Sequence, residues 1–138
     1  MRHHEVVISH IGVNVPDLEE ARAYYGKLMP LLGFEEFVVT DGHCSYQPTR
    51  GEQGAHLYLY PALLAGEFAA GRPGLQHLAF LVESRAAVRA VHDHVVRMGC
   101  EVIHEPRNFA EYPSPYYATF WLDPFGMTLE AVCTVDRP

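Results

Sequence analysis

Alternating apolar and polar positions mark the first strand. Between His10 and Val15, Ile11, Val13 and Val15 fall on one face and His10, Gly12 and Asn14 on the other, the period of two shown by a strand with one covered face. With the apolar residues from Val6 onward included, a strand is predicted over Val6–Val15. Pro16-Asp17 ends it. Asp17 followed by Glu20 is a capping pair that opens a helix, and Leu18, Ala21, Tyr25, Leu28 and Leu32 give that helix an apolar stripe. Pro30 lacks an amide hydrogen and must kink or restart it; Gly33 stops it. Short strands are predicted over Phe34–Thr40 and His43–Gln47, around an Asp41-Gly42 turn. A further strand, His56–Tyr60, sends Leu57 and Leu59 one way and His56, Tyr58 and Tyr60 the other.

The pattern then starts again. Gln76–Val82 alternates as a strand, with His77, Ala79 and Leu81 opposite Leu78, Phe80 and Val82. Ser84 caps a second helix carrying Val88, Val91, Val95 and Met98, and Gly99 stops it. Cys100–His104 reads as a strand and Glu105–Pro115 as a loop; Tyr116–Leu122 and Met127–Cys133 read as strands. His10 leads to Gly33 in 23 residues and His77 to Gly99 in 22. Gly54 before His56–Tyr60 matches Gly126 before Thr128–Val132, so Tyr58 matches Glu130. The chain is thus an α+β tandem repeat of a β-α-β-β-β module: a single domain over residues 1–138, with module 1 at about 6–61, a connector at 62–73 and module 2 at about 74–134. One helix and a short sheet bury too little alone. The modules are expected to pair as a curved mixed sheet with helices outside, its concave face carrying His10, Tyr58, His77 and Glu130.

Asp123-Pro124-Phe125-Gly126 is turn chemistry, and Glu130 follows it inside an apolar strand. Burying a carboxylate is costly unless a positive charge meets it. The plain alternative is an edge strand with Glu130 in water. His10 and His77 each begin equivalent strands of the repeat. Two imidazoles and a carboxylate suit a divalent ion (iron, manganese, zinc or nickel), and three ligands leave positions open for substrate. Such an ion would also partner Glu130.

Composition then narrows the classes. The 138 residues carry a net charge of −7 with no basic patch, so nucleic acid is not an expected partner. No apolar run approaches membrane-spanning length and the N-terminus has no signal-like apolar stretch, so no membrane partner is expected. Cys44, Cys100 and Cys133 form no Cys-x-x-Cys pair, which fits reduced thiols and a cytoplasmic location.

Ser9 to Ala21, Tyr24-Tyr25 and Leu32-Gly33-Phe34 resemble the first module of the vicinal oxygen chelate superfamily. Gly74-Leu75-Gln76-His77-Leu78-Ala79-Phe80 and Asp123-Pro124-Phe125-Gly126-Met127-Thr128-Leu129-Glu130 resemble its second. The superfamily includes glyoxalase I, extradiol dioxygenases, methylmalonyl-CoA epimerase, fosfomycin-modifying enzymes and bleomycin-binding proteins. The resemblance implies metal ligands at His10, His77 and Glu130. Glyoxalase I and the epimerase add a fourth ligand, Glu or Gln, where this chain has Tyr58, or His56 if the strand shifts by two. That departure argues against a standard glyoxalase I and is more like the dioxygenases or the fosfomycin-modifying enzymes.

The expected activity is therefore that of a lyase, isomerase or dioxygenase. Its small substrate would chelate the metal through neighbouring oxygens. Tyr58, His56 and Tyr117 are the candidate acid, base or orienting groups. Arg107, Tyr60 and Tyr112 are the candidate substrate contacts, Arg107 as a cation for an anionic substrate. The competing expectation is a metal-free protein of the bleomycin-resistance type, sequestering an aromatic or hydrophobic compound. A homodimer is expected because an unpaired module exposes sheet edge and apolar strand faces.

Overall fold

The computed structural model describes residues 7–49 and 53–138. The chain divides into two compact units, Met1–Ala65 and Gly66–Pro138.

In the first unit, β1 (His10–Val15) is followed by α1 (Leu18–Leu28), a 3₁₀ turn (Met29–Leu32), β2 (Phe34–Val39), β3 (Cys44–Pro48) and β4 (His56–Pro61). The helix starts as its sequence requires: Asp17 is extended and its carboxylate accepts from the Glu20 amide at 3.0 Å. Glu19 and Glu20 sit at the positive end of the helix dipole and Lys27 at the negative end. Pro30 restarts the chain as the 3₁₀ turn, which Gly33 closes at φ 84°. The sheet runs β1-β4-β3-β2, with β1 and β4 parallel and the other pairs antiparallel. Ile11 pairs with Leu57 and Val13 with Leu59. These apolar positions face α1, whose Ala21, Tyr25 and Leu28 are buried. His10 pairs with His56, Gly12 with Tyr58 and Asn14 with Tyr60 on the opposite face.

The predicted strand over Val6–Val15 is shorter than expected. It begins at His10, where β4 begins opposite it, and the His56 amide donates to the Ser9 carbonyl as the last rung. Val6 lies outside the described residues.

The second unit repeats the order: β5 (Leu78–Leu81), α2 (Arg85–Arg97), β6 (Val102–Asn108), β7 (Tyr117–Leu122) and β8 (Thr128–Cys133). Ser84 caps α2 through the Ala87 amide, and Gly99 ends it at φ 78°. The sheet runs β5-β8-β7-β6. Leu129, Ala131 and Cys133 of β8 are fully buried on the face that carries α2, as is Trp121 opposite Leu129. Burying a side chain the size of Leu129 contributes about 1.5–3 kcal/mol. Ala79, Glu130 and Phe120 share the other face.

One boundary differs in a way that matters for the site. The stretch predicted as a loop from Glu105 is strand as far as Asn108, so Arg107 lies in β6, opposite Ala118. Pro106 is tolerated there because β6 is the edge strand, where a missing amide hydrogen breaks no interior rung.

Candidate active site

The Asp123 turn sets the position of Glu130. Asp123 Oδ1 accepts from the amides of Phe125 (2.9 Å) and Met127 (2.8 Å), and Gly126 takes φ 90°. β8 leaves this turn with Leu122 paired to Thr128, which puts Phe120 opposite Glu130. Ala118 and Tyr116 follow by alternation on the same face.

Glu130 is 1% exposed, so the edge-strand alternative is overturned: β8 lies between β5 and β7. Its two oxygens have separate partners. Oε1 lies 3.1 Å from His77 Nε2. Oε2 accepts from the Tyr116 hydroxyl at 2.5 Å. Burial, and then the hydrogen bond to the carboxylate, push the Tyr116 phenol above its ordinary value, so it stays protonated and a donor at neutral pH.

His77 is held from its other side by Gln76 Oε1 at Nδ1. An amide oxygen only accepts, so Nδ1 carries the proton. Nε2 then turns a lone pair toward a carboxylate oxygen unless a cation stands between them. Two ligands at right angles, each about 2.1 Å from a metal, stand about 3.0 Å apart, close to the His77–Glu130 separation. An imidazole and a carboxylate are donor types that suit a divalent ion.

Next to this pair the face is aromatic. Phe109, Ala118 and Val132 form a small buried cluster with Tyr116 and Phe120 against it. Tyr112 stacks on Tyr116 with centroids 4.5 Å apart. The Arg107 guanidinium sits 3.7 Å above the Phe109 ring and also donates to the Asn108 carbonyl. Arg107 and Tyr112 thus belong to the Glu130 side of the sheet. Tyr117 does not. It pairs with Cys133 on the α2 face, with Arg89 6.0 Å from its ring. The tyrosine that meets Glu130 is Tyr116, and strand parity counted back from Glu130 through the turn is the signal that finds it.

The first unit carries the other candidates on the face away from α1. Tyr58 is ringed by imidazoles, with His10 at 5.2 Å, His43 at 5.7 Å and His56 at 6.5 Å between centroids. Tyr60 continues the row 6.2 Å from Tyr58. Gly12 makes room for it, since a Cβ there would come within 3.3 Å of the Tyr60 ring. His43 joins this group from β3's edge and was not among the sequence candidates. His10 is exposed, and its Nδ1 lies 3.0 Å from Ser9 Oγ. Among the described residues, no three His, Cys, Asp or Glu side chains stand together as a metal cluster.

The model of the Glyoxalase/Bleomycin resistance protein/Dioxygenase superfamily matches residues 7–131. The chain belongs to this superfamily. Among its relatives is the uncharacterized protein YqjT of Bacillus subtilis (strain 168), 29% identical over 126 residues, which cover 89% of this chain and 95% of that protein. A glyoxalase candidate from Bacillus halodurans has a similar crystal structure. Its TM-score is 0.78 at 28% identity, covering 91% of this chain and 94% of that one. The lactoylglutathione lyase of Agrobacterium tumefaciens shares the fold, at TM-score 0.65, 18% identity and 94% coverage of both chains. The superfamily includes enzymes, and its members bind small ligands and often metals. Among the described residues, no helix is long and apolar enough to cross a membrane.

Proposed function

We propose that the chain is a divalent-metal-dependent enzyme of this superfamily, acting on a small substrate that offers two neighbouring oxygens. The observation that carries this reading is the His77 Nε2–Glu130 Oε1 approach of 3.1 Å at a carboxylate that is 1% exposed. In this reading His77 and Glu130 supply two ligands; His10, the further ligand that the family resemblance implies, belongs to the first unit. The ion, iron, manganese, zinc or nickel, would act as a Lewis acid toward the substrate oxygens.

The chain's own groups divide the remaining work. Gln76 fixes the His77 tautomer by accepting at Nδ1, the kind of support that orients a ligating imidazole. Tyr58 and His56 stand as a phenol and an imidazole on one sheet face, a pair suited to moving a proton to or from substrate carbon or oxygen. Arg107, Tyr112 and Tyr60 would bind the substrate. Arg107 attracts a negative charge and the tyrosines cover apolar surface. Tyr58, which cannot match a carboxylate or amide fourth ligand, favours a three-ligand centre with lyase, isomerase or dioxygenase chemistry.

The second reading, a metal-free protein that sequesters an aromatic or hydrophobic compound, draws on the rows of rings in each unit. In either case the proposed assembly is a homodimer, supported by the exposure of Leu63 and Leu64. The proposed compartment is the cytoplasm, supported by three cysteines that form no Cys-x-x-Cys pair.

Titration with manganese(II) separates the readings. Metal binding that is lost in Glu130→Gln and retained in His92→Gln supports the enzyme. Equal affinity in both variants overturns the site.

A further inference from the structure

We propose that Tyr116 is a positioning residue that makes Glu130 a one-oxygen ligand: its hydroxyl occupies Oε2 and leaves Oε1 to the metal. This rests on the metal reading above.

The geometry divides the carboxylate cleanly. Oε1 faces His77 Nε2 at 3.1 Å, and Oε2 receives the Tyr116 hydroxyl at 2.5 Å. A phenol has one O–H to give, and a hydrogen bond to an ionised acceptor is among the stronger ones. Glu130 is 1% exposed, so water does not stand in readily for that donor. The phenol itself is held in place. Tyr112 stacks on its ring at 4.5 Å, Phe109 meets the ring at 6.2 Å and 76°, and the Phe109 amide donates to the Tyr116 carbonyl at 2.9 Å. A hydroxyl whose ring and backbone are held by two neighbours fixes the carboxylate in turn. Without it Oε2 would be free to turn toward an ion held at Oε1, and Glu130 would bind that ion through both oxygens.

Three measurements test this. Manganese(II) titration of Tyr116→Phe, which keeps the ring and its stack, is expected to show affinity lower by roughly 10–100-fold, the usual cost of losing a group that supports a ligand. The cobalt(II) absorption spectrum of the same variant is expected to change in band position and intensity, which a loss of packing alone would not cause. For the parent chain, the infrared difference spectrum on adding manganese(II) is expected to show the wide carboxylate splitting of one-oxygen ligation. That third measurement stands even if the variant does not fold. Unchanged affinity and an unchanged cobalt spectrum in Tyr116→Phe, with binding still lost in Glu130→Gln, would overturn the positioning role and leave the metal site intact. A narrow, two-oxygen splitting in the parent would overturn it too. A parent chain that binds neither ion removes the metal reading, and the role of Tyr116 with it.

Discussion

His77 Nε2 and Glu130 Oε1 meet at 3.1 Å although 53 residues separate them in the chain. They meet because β5, which His77 immediately precedes, and β8, which carries Glu130, are parallel neighbours in one sheet, with Ala79 paired to Glu130. The contact between the two side chains is thus a consequence of strand order.

The Asp123 turn supports both the register of β8 and the placement of Glu130. Asp123 is 6% exposed and its Oδ1 accepts from two amides. Asp123→Ala leaves the buried Met127 amide without this acceptor, a loss of about 1–3 kcal/mol. Chemical denaturation is expected to show a lower midpoint with an unchanged slope. A midpoint equal to the parent's would mean that the turn holds without the side chain.

Arg107 sits over Phe109 as an exposed cation. Its contact with the ring is worth about 0.5–1 kcal/mol to the fold, so Arg107→Ala should stay folded. Steady-state kinetics with an anionic substrate are expected to show KM raised roughly tenfold, equivalent to about 1.4 kcal/mol, with metal content unchanged. Parent-like kinetics would make Arg107 an ordinary surface charge.

Leu63 is 94% exposed and Leu64 85%. Burying one such side chain is worth about 1.5–3 kcal/mol, which favours their covering by a second copy. Sedimentation at tens of micromolar is expected to give twice the 15.5 kDa chain mass. The double variant Leu63→Asp with Leu64→Asp is expected to shift the species toward monomer. A parent chain that sediments as a monomer would refute the dimer.

Burial raises the phenols of Tyr46 and Tyr116 above their ordinary values. A raised folded-state value means that the unfolded chain releases these protons first as pH rises past about 10. The native state keeps them longer, so their contribution to stability is complete below that pH and is lost above it. Thermal denaturation across pH 8 to 11 is expected to show a falling midpoint at the alkaline end, with a shallower fall in Tyr116→Phe. A flat alkaline profile in the parent would contradict the burial argument.

Local chemistry made most of the fold legible. Asp17 and Ser84 announce two helices, Gly33 and Gly99 end them, and the spacing between these signals exposes the repeat. The pairing of Tyr58 with Glu130 as equivalent positions also follows from that spacing. Two things were harder to read. Pro106 suggests a strand end, yet it is carried in β6, because whether a missing amide matters depends on strand order, which is not local. Tyr117 rather than Tyr116 was the sequence candidate because the two are adjacent and both aromatic. Only the hairpin register, Leu122 opposite Thr128, decides which of them shares a face with Glu130.

Metal content tests most directly the proposal that His77 and Glu130 hold a divalent ion. The chain is purified without added metal, divided, and half is incubated with manganese, iron, zinc or nickel before desalting and elemental analysis. About one equivalent of one of these ions per chain, lost in Glu130→Gln, is the expected result. Less than about a tenth of an equivalent in both halves would contradict the claim and leave the chain as a metal-free binding protein.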